Sequence, residues 1–218
     1  MRPLFAPSRS LYCPRARSTD MSTPSLNTPA DMLPAIERRW SPRAFSDRGV
    51  DHKQILSMIS AAAMAPSAYN SQPWRFVYSL RNDEYWQSFV SVLDEFNRSW
   101  AQQASALILI ASTPEHQSGG KTRALPYHQF DCGAAWMQLA LQAEHLGLQT
   151  HAMAGIHRER AVSAQLLPNH WQLQVAVAVG YLGQANDLPA TLRNQETRRP
   201  RLPLSAIAYA GRRATEVS

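Results

Sequence analysis

Cysteine is scarce in this 218-residue chain: Cys13 and Cys132 are the only two. Cys13 lies in a Pro-rich start and Cys132 in a predicted helix. That argues against a disulfide framework and fits a reducing compartment, the cytoplasm. No apolar run approaches the roughly 18 residues of a membrane span. Glycine is also sparse, at 9 residues, and no G-x-G-x-x-G is present, so a Rossmann dinucleotide turn is not supported. A G-x-S-x-G nucleophile elbow is missing too. "SGGKT" at 118–122 ends like a phosphate-binding P-loop, but Glu115 stands where that motif needs its first glycine. The seven His are scattered, and His145, His151 and His157 are six apart, which does not put them on one helical face. With so few Cys, no metal site is expected.

What is present suits a single globular domain with a sizeable core: 44% hydrophobic and 17% charged residues. The net charge is +6. The first 20 residues hold Arg2, Arg9, Arg15 and Arg17 against Asp20, half of that excess. A second basic group runs through Arg193, Arg198, Arg199, Arg201, Arg212 and Arg213. Neither forms a stripe with interleaved aromatics, so nucleic-acid binding is set aside in favour of solubility or a specific anion site. Residues 1–20 contain Pro3, Pro7 and Pro14 and show no apolar period. They are read as a disordered extension before Met21, with residues 21–218 as one domain that ends in a basic arm.

The remaining chain alternates helices and buried strands. Asp31 is expected to cap a helix through "MLPAIERR", and Asp51 with Gln54 resembles a capping box. A stripe of Ile55, Met58, Ile59, Ala62 and Ala63 predicts a helix ending before Pro66. "RFVYSL" predicts a strand, and residues 83–103 one helix with Trp86, Phe89, Val90 and Leu93 on one face. "ALILIAS" and "LQVAVAVGYLG" read as buried strands. "TPEHQSGGKTRALP" reads as a loop. "YHQFDCGAAWMQLALQAEHLGL" reads as a long Ala-rich helix, stopped at Gly147 and suited to close packing. "QTHAMAG" is a short strand or turn, and 157–167 a helix. The pattern implies a layered α/β or α+β domain.

Five polar stretches stand out. They are "RRWSPRAF" with Arg39, Ser41 and Arg43; "APSAYNSQPW"; "EFNRSW" with Asn97 and Trp100; "HAMAGI" with Met153, Ala154 and Gly155; and "RRPRLPL" with Arg199 and Arg201. The second holds Ser67, Tyr69, Asn70, Ser71 and Gln72 between Pro66 and Pro73, with no charge before Arg75. Taken singly, each reads as ordinary surface. Together they suit a ligand with a phosphate, a polyol and a flat polar ring.

In order and spacing these pieces resemble the FMN-dependent nitroreductase family. The matching motifs are R-x-S-P-R-x-F at Arg39–Phe45, A-P-S-A-x-N-x-Q-P-W at Ala65–Trp74 and N-x-x-W at Asn97–Trp100. D-x-G-A-A at Asp131–Ala135, G-L-x-T-H-x-M-A-G at Gly147–Gly155 and R-x-R-x-P-L at Arg199–Leu204 complete the set. The resemblance implies an α+β fold: a three-layer α/β/α sandwich with a mostly antiparallel sheet, in an intertwined homodimer with one FMN at each of two interface sites. It implies that Arg39, Trp40, Ser41 and Arg43 hold the phosphate and ribityl end, joined by Arg199 and Arg201. Pro66, Ser67, Ala68, Tyr69 and Asn70 would reach the flavin of the partner subunit. Asn97 would bond the pyrimidine edge, and the N–H groups of Ala154 and Gly155, beside Met153, would face N5 and O4. Trp40 and Trp100 stand where many relatives carry polar or basic residues, a departure that bears on substrate preference.

The chemistry so implied belongs to the cofactor, with no catalytic side chain. NAD(P)H reduces FMN, departs, and a small-molecule acceptor such as a nitroaromatic or quinone takes its place, in a ping-pong cycle. The family also contains dehydrogenases and dehalogenases. A flavin-storage or sensor protein without turnover is the alternative reading.

Overall fold

A computed structural model describes residues 32–209 and 211. The extension 1–20, Cys13, Asp31 and Arg212–Arg213 lie outside the described residues. The chain divides into a unit Asp31–Pro200 and a second unit to which residues from Arg201 onward belong. The described part of the second unit is an exposed run with a 3₁₀ turn at Leu204–Ala206, closed by Ala206 N–H donating to Pro203 O.

The larger unit runs α1 (Pro34–Arg38), α2 (His52–Ala63), β1 (Trp74–Leu80), α3 (Trp86–Val92), α4 (Glu95–Ala101), β2 (Ala106–Ser112), β3 (Glu115–Ser118) and β4 (Lys121–Ala124). It continues with α5 (His128–His145), β5 (Gln149–Met153), α6 (Arg158–Ser163), β6 (Gln172–Gly180) and α7 (Ala190–Arg193). Four strands form an antiparallel sheet in the order β1-β2-β6-β5. Crossovers carry the helices to both faces, and alternation along the strands sorts the core into two. Ala106, Ile108 and Ile110 of β2 face Ile55, Met58 and Ala62 of α2 and Ala135, Leu139 and Ala143 of α5. Leu107, Leu109 and Ala111 face Trp86, Phe89, Trp100 and Ala161 from α3, α4 and α6. Their β6 partners obey the same parity, with Ile108 opposite Val177 and Leu109 opposite Ala176. The result is the expected α/β/α sandwich. β2 is buried throughout because helices cover both of its faces.

Local chemistry accounts for the boundaries. The Asp51 carboxylate accepts from Gln54 N–H at 2.8 Å and Gln54 Oε1 accepts from Asp51 N–H at 3.1 Å, the anticipated capping box. α1 is capped by Leu33 without a side-chain bond, and Pro34 supplies its preset φ. α5 stops at Gly147, at φ +73°.

Besides the expected Asp31 cap, whose place Leu33 takes because the helix starts only at Pro34, two expectations are overturned. Residues 83–103 do not form one helix. The chain breaks at Leu93, which makes a bridge to Ile156, and restarts at Asp94, whose carboxylate caps the next helix through Asn97 N–H at 2.7 Å. The continuous apolar face hid the cap. The presumed loop 113–126 contains the β3–β4 hairpin, turned by Gly119 and Gly120 at φ +57° and +73°. Residues 115–117 and 121–123 are polar and exposed, so no apolar alternation announced the hairpin; the Gly-Gly pair was the available cue.

Candidate functional site

Three groups of candidate residues take shape. The first is built on the irregular segment after α1. Arg39 Nη1 donates to Ser41 Oγ at 3.2 Å, so the two side chains are adjacent, with Trp40 half-buried between them. The segment is pinned by the end of β6: Gly183 N–H donates to Ala44 O and Ser46 N–H to Tyr181 O, both at 3.0 Å. From the far end of the chain, Glu196 Oε1 accepts from Arg43 N–H at 2.7 Å and Ala44 N–H at 2.8 Å. Arg198 donates to the carbonyls of Glu37 and Arg39. The late basic stretch therefore does return to Arg39, but through Glu196 and Arg198. Arg199 is exposed, and Arg201 is an exposed residue of the other unit.

The second group joins α4 to the end of β5. Asp94 N–H and Asn97 Nδ2 both donate to Gly155 O, at 3.0 and 3.1 Å. Asn97 is buried on the first turn of α4, Met153 is buried, Ala154 exposed and Gly155 half-buried. Asn97 thus spends one amide N–H on fixing the backbone that the resemblance assigns to the ring. Asp94, unrecognised in the sequence, organises both.

Trp100 and His151 connect the first two groups. The His151 ring lies 4.8 Å from that of Trp100, and Phe45 stacks on Trp100 at 6.4 Å. The Arg43 guanidinium carbon sits 6.0 Å from the Trp100 ring centre. His151 Nδ1 is 3.0 Å from Pro42 O, so that nitrogen carries the proton. Burial holds the His151 pKa below its ordinary value, and nearby Arg43 pushes the same way. Arg43 Nε and Trp100 Nε1 are buried donors without a protein partner among the described residues. A cleft of about 720 Å³ lined by Arg43, Phe45, Ser99, Trp100 and Gly183 opens beside them, within the usual size range of ligand pockets.

The third group is the loop between α2 and β1. It is more strained than its prolines imply: Tyr69, Asn70 and Gln72 all lie at positive φ, +54°, +53° and +44°. Such backbone persists only where neighbours over-determine it. Here Ala68 N–H donates to the buried Asp131 carboxylate at 3.2 Å and Gln72 N–H to Ser67 Oγ at 3.0 Å. Asp131, part of D-x-G-A-A but given no role from sequence, supports the loop from α5. Pro66 and Asn70 are exposed and Ser67 and Ala68 half-buried, while Tyr69 is 88% exposed with Arg123 of β4 at 5.5 Å from its ring.

The sheet keeps this loop apart from the second group. It enters β1, whereas Gly155 follows β5, and these are opposite edges of the sheet. Three strand spacings, about 14 Å, lie between them. Close to the loop, α5 presents Phe130, Met137 and the flanking Tyr127 to solvent, and α2 ends in exposed Met64. Deeper in α5, burial raises the Cys132 thiol to about 11. Among the described residues no His, Cys, Asp and Glu group could hold a metal, and no helix is long and apolar enough to cross a membrane.

The "Nitroreductase family" model matches residues 36–181, which includes five of the six motifs entire. A solved structure described as "the oxidoreductase containing FMN" is 38% identical, superposes with a TM-score of 0.82, and covers 89% of this chain and 100% of its own. A protein of Archaeoglobus fulgidus named "Putative NADH dehydrogenase/NAD(P)H nitroreductase" is 31% identical over 157 residues, 69% of this chain and 85% of the relative. The solved enone reductase CLA-ER, of gut-bacterial fatty acid saturation, is 26% identical, with a TM-score of 0.60 over 69% of this chain and 88% of its own. The chain belongs to the nitroreductase family.

Proposed function

We propose that this member of the nitroreductase family is an FMN-dependent oxidoreductase that takes hydride from NAD(P)H and reduces small acceptors by a ping-pong cycle. One observation carries the reading: Arg39 and Ser41 lie side by side, and Arg43 of the same segment lines a cleft of about 720 Å³ with a buried Nε–H that has no protein partner among the described residues. The Arg43 Nε–H is a donor in search of an acceptor, and a phosphate with its ribityl chain offers several beside a guanidinium-rich segment. The FMN-containing structure, at 38% identity, supports the same cofactor.

Arg39 and Ser41 hold the phosphate, and Arg43 takes the ribityl end. The Asp94–Asn97–Gly155 knot fixes the backbone N–H groups of Ala154 and Gly155 toward the ring, while Trp100 closes the apolar side. The cofactor when bound accepts hydride at N5 and passes electrons to the acceptor, with no acid or base side chain required. Cations at one end and N–H donors at the other favour the extra negative charge of the reduced state.

The loop at 66–70 completes the site of a second copy of the chain. It enters β1, the sheet edge opposite the β5 that leads to Gly155, carries neutral hydrogen-bonding groups that are cheap to bury, and contacts α5, whose Phe130 and Met137 are exposed. An intertwined homodimer follows, with α5 at its seam.

Purified protein tests the function directly. It should be yellow, and NAD(P)H should bleach it anaerobically. Adding a nitroaromatic, a quinone or an enone (the last because of the enone reductase likeness) should restore the colour. Protein that binds no flavin would sink the proposal. Flavin that bleaches but is reoxidised by no acceptor would favour a storage or sensing role.

A further inference from the structure

We infer that Glu196 is a positioning residue for the phosphate-binding segment: its carboxylate holds the Arg43–Ala44 backbone in the shape that presents Arg39, Ser41 and Arg43 to the cofactor. This inference rests on the FMN reading above.

The segment from Arg39 to Ser46 belongs to no helix, and its ladder pairing amounts to one bridge, Phe45 with Leu182. Its later half is fixed by Tyr181 and Gly183. Two consecutive N–H groups, of Arg43 and Ala44, go instead to one side-chain oxygen more than 150 residues away, at 2.7 and 2.8 Å. Short bonds from N–H to a carboxylate are stronger than neutral ones. Two on adjacent residues define the direction of the backbone, and with it where Arg43 points.

The second oxygen shows what Glu196 does not do. Glu196 Oε2 is buried without a partner among the described residues, and so is Arg43 Nε. The carboxylate and this guanidinium nitrogen are not spent on each other, although both occupy one neighbourhood. Glu196 grips the Arg43 main chain and leaves its Nε–H for another acceptor. A carboxylate near a phosphate site is unfavourable in charge terms, so its use there is geometric: a neutral acceptor of the same shape should serve.

The test compares Glu196→Ala, Glu196→Asp and Glu196→Gln with wild type, measuring dissociation constants for FMN and for riboflavin by flavin fluorescence, with thermal melts to confirm folding. Glu196→Ala should weaken FMN binding by about 10- to 100-fold and riboflavin binding far less, because riboflavin lacks the phosphate. Glu196→Asp, one methylene short, should resemble Glu196→Ala. Glu196→Gln keeps an oxygen acceptor and should stay within about threefold of wild type for FMN. Should Glu196→Ala fail to fold, the Asp and Gln variants decide. Equal losses for both flavins would mean a merely structural role and would overturn the inference. So would FMN affinity unchanged in Glu196→Ala, or a loss in Glu196→Gln as large as in Glu196→Asp. Wild-type protein that binds neither flavin would bring down the FMN reading itself, and this inference with it.

Discussion

The carboxylate of Asp94 occupies the space a side chain on residue 155 would need. A Cβ built on Gly155 falls 2.0 Å from Asp94 Oδ2 and 2.6 Å from Asn97 Nδ2. Glycine is required here by close approach rather than by a special φ. Gly155→Ala should therefore displace the α4 cap, lower the melting temperature and weaken FMN binding at least about tenfold, on the scale of overpacking at about 1–3 kcal/mol. Adding Asp94→Ala removes the obstructing oxygen but also the cap, worth about 1 kcal/mol. The double variant should bind flavin better than Gly155→Ala alone and worse than wild type. Titration of apoprotein with FMN measures all three, and an undisturbed Gly155→Ala would refute the steric account.

Arg39 faces the same comparison of flavins as Glu196. A charge-assisted bond is worth about 1.5–3 kcal/mol, so Arg39→Ala should lose about 10- to 150-fold in FMN affinity. Riboflavin should lose much less. Equal FMN affinity in the variant and wild type would remove Arg39 from the phosphate.

Asn70 tests whether the site is shared between two copies. Because its φ is +53°, alanine there would add backbone strain to the loss of the amide; Asn70→Gly removes the amide alone. Arg39→Ala and Asn70→Gly homodimers should each bind FMN poorly. Mixed with subunit exchange, they should regain one intact site per heterodimer. Proven exchange without recovery of flavin binding would exclude a loop donated across the interface.

His151 makes stability fall on the acid side. Its pKa is depressed by burial in the folded protein and near 6.5 when unfolded. Below about pH 6.5 the unfolded chain takes up a proton that the native state resists, so unfolding is favoured. The penalty grows until the pH drops through the folded pKa and is then constant; above pH 6.5 it vanishes. The melting temperature of wild type should decline as pH falls from 7 toward 5, and His151→Gln should show a shallower decline. Identical slopes would show that His151 does not drive the loss.

Much of this was legible in residues alone. Apolar runs in "ALILIAS" and "LQVAVAVG", the Asp51–Gln54 box and the Ala-rich period of α5 express local rules of burial and capping, which operate within a few residues. The motifs at 39–45, 97–100 and 147–155 marked the candidate site, because such a ligand demands particular side-chain chemistry. Tertiary structure decided what depends on distant partners. The break before Asp94 needed Gly155, 61 positions later, to accept its N–H. The left-handed run at Tyr69, Asn70 and Gln72 needed the Asp131 carboxylate to hold Ala68. Glu196 carried no local sign of its task, because its partners are backbone N–H groups, which every sequence contains and none displays. Strand order likewise set the loop, which enters β1, and Gly155, which follows β5, on opposite sheet edges, a separation fixed by crossovers rather than by any residue in either motif.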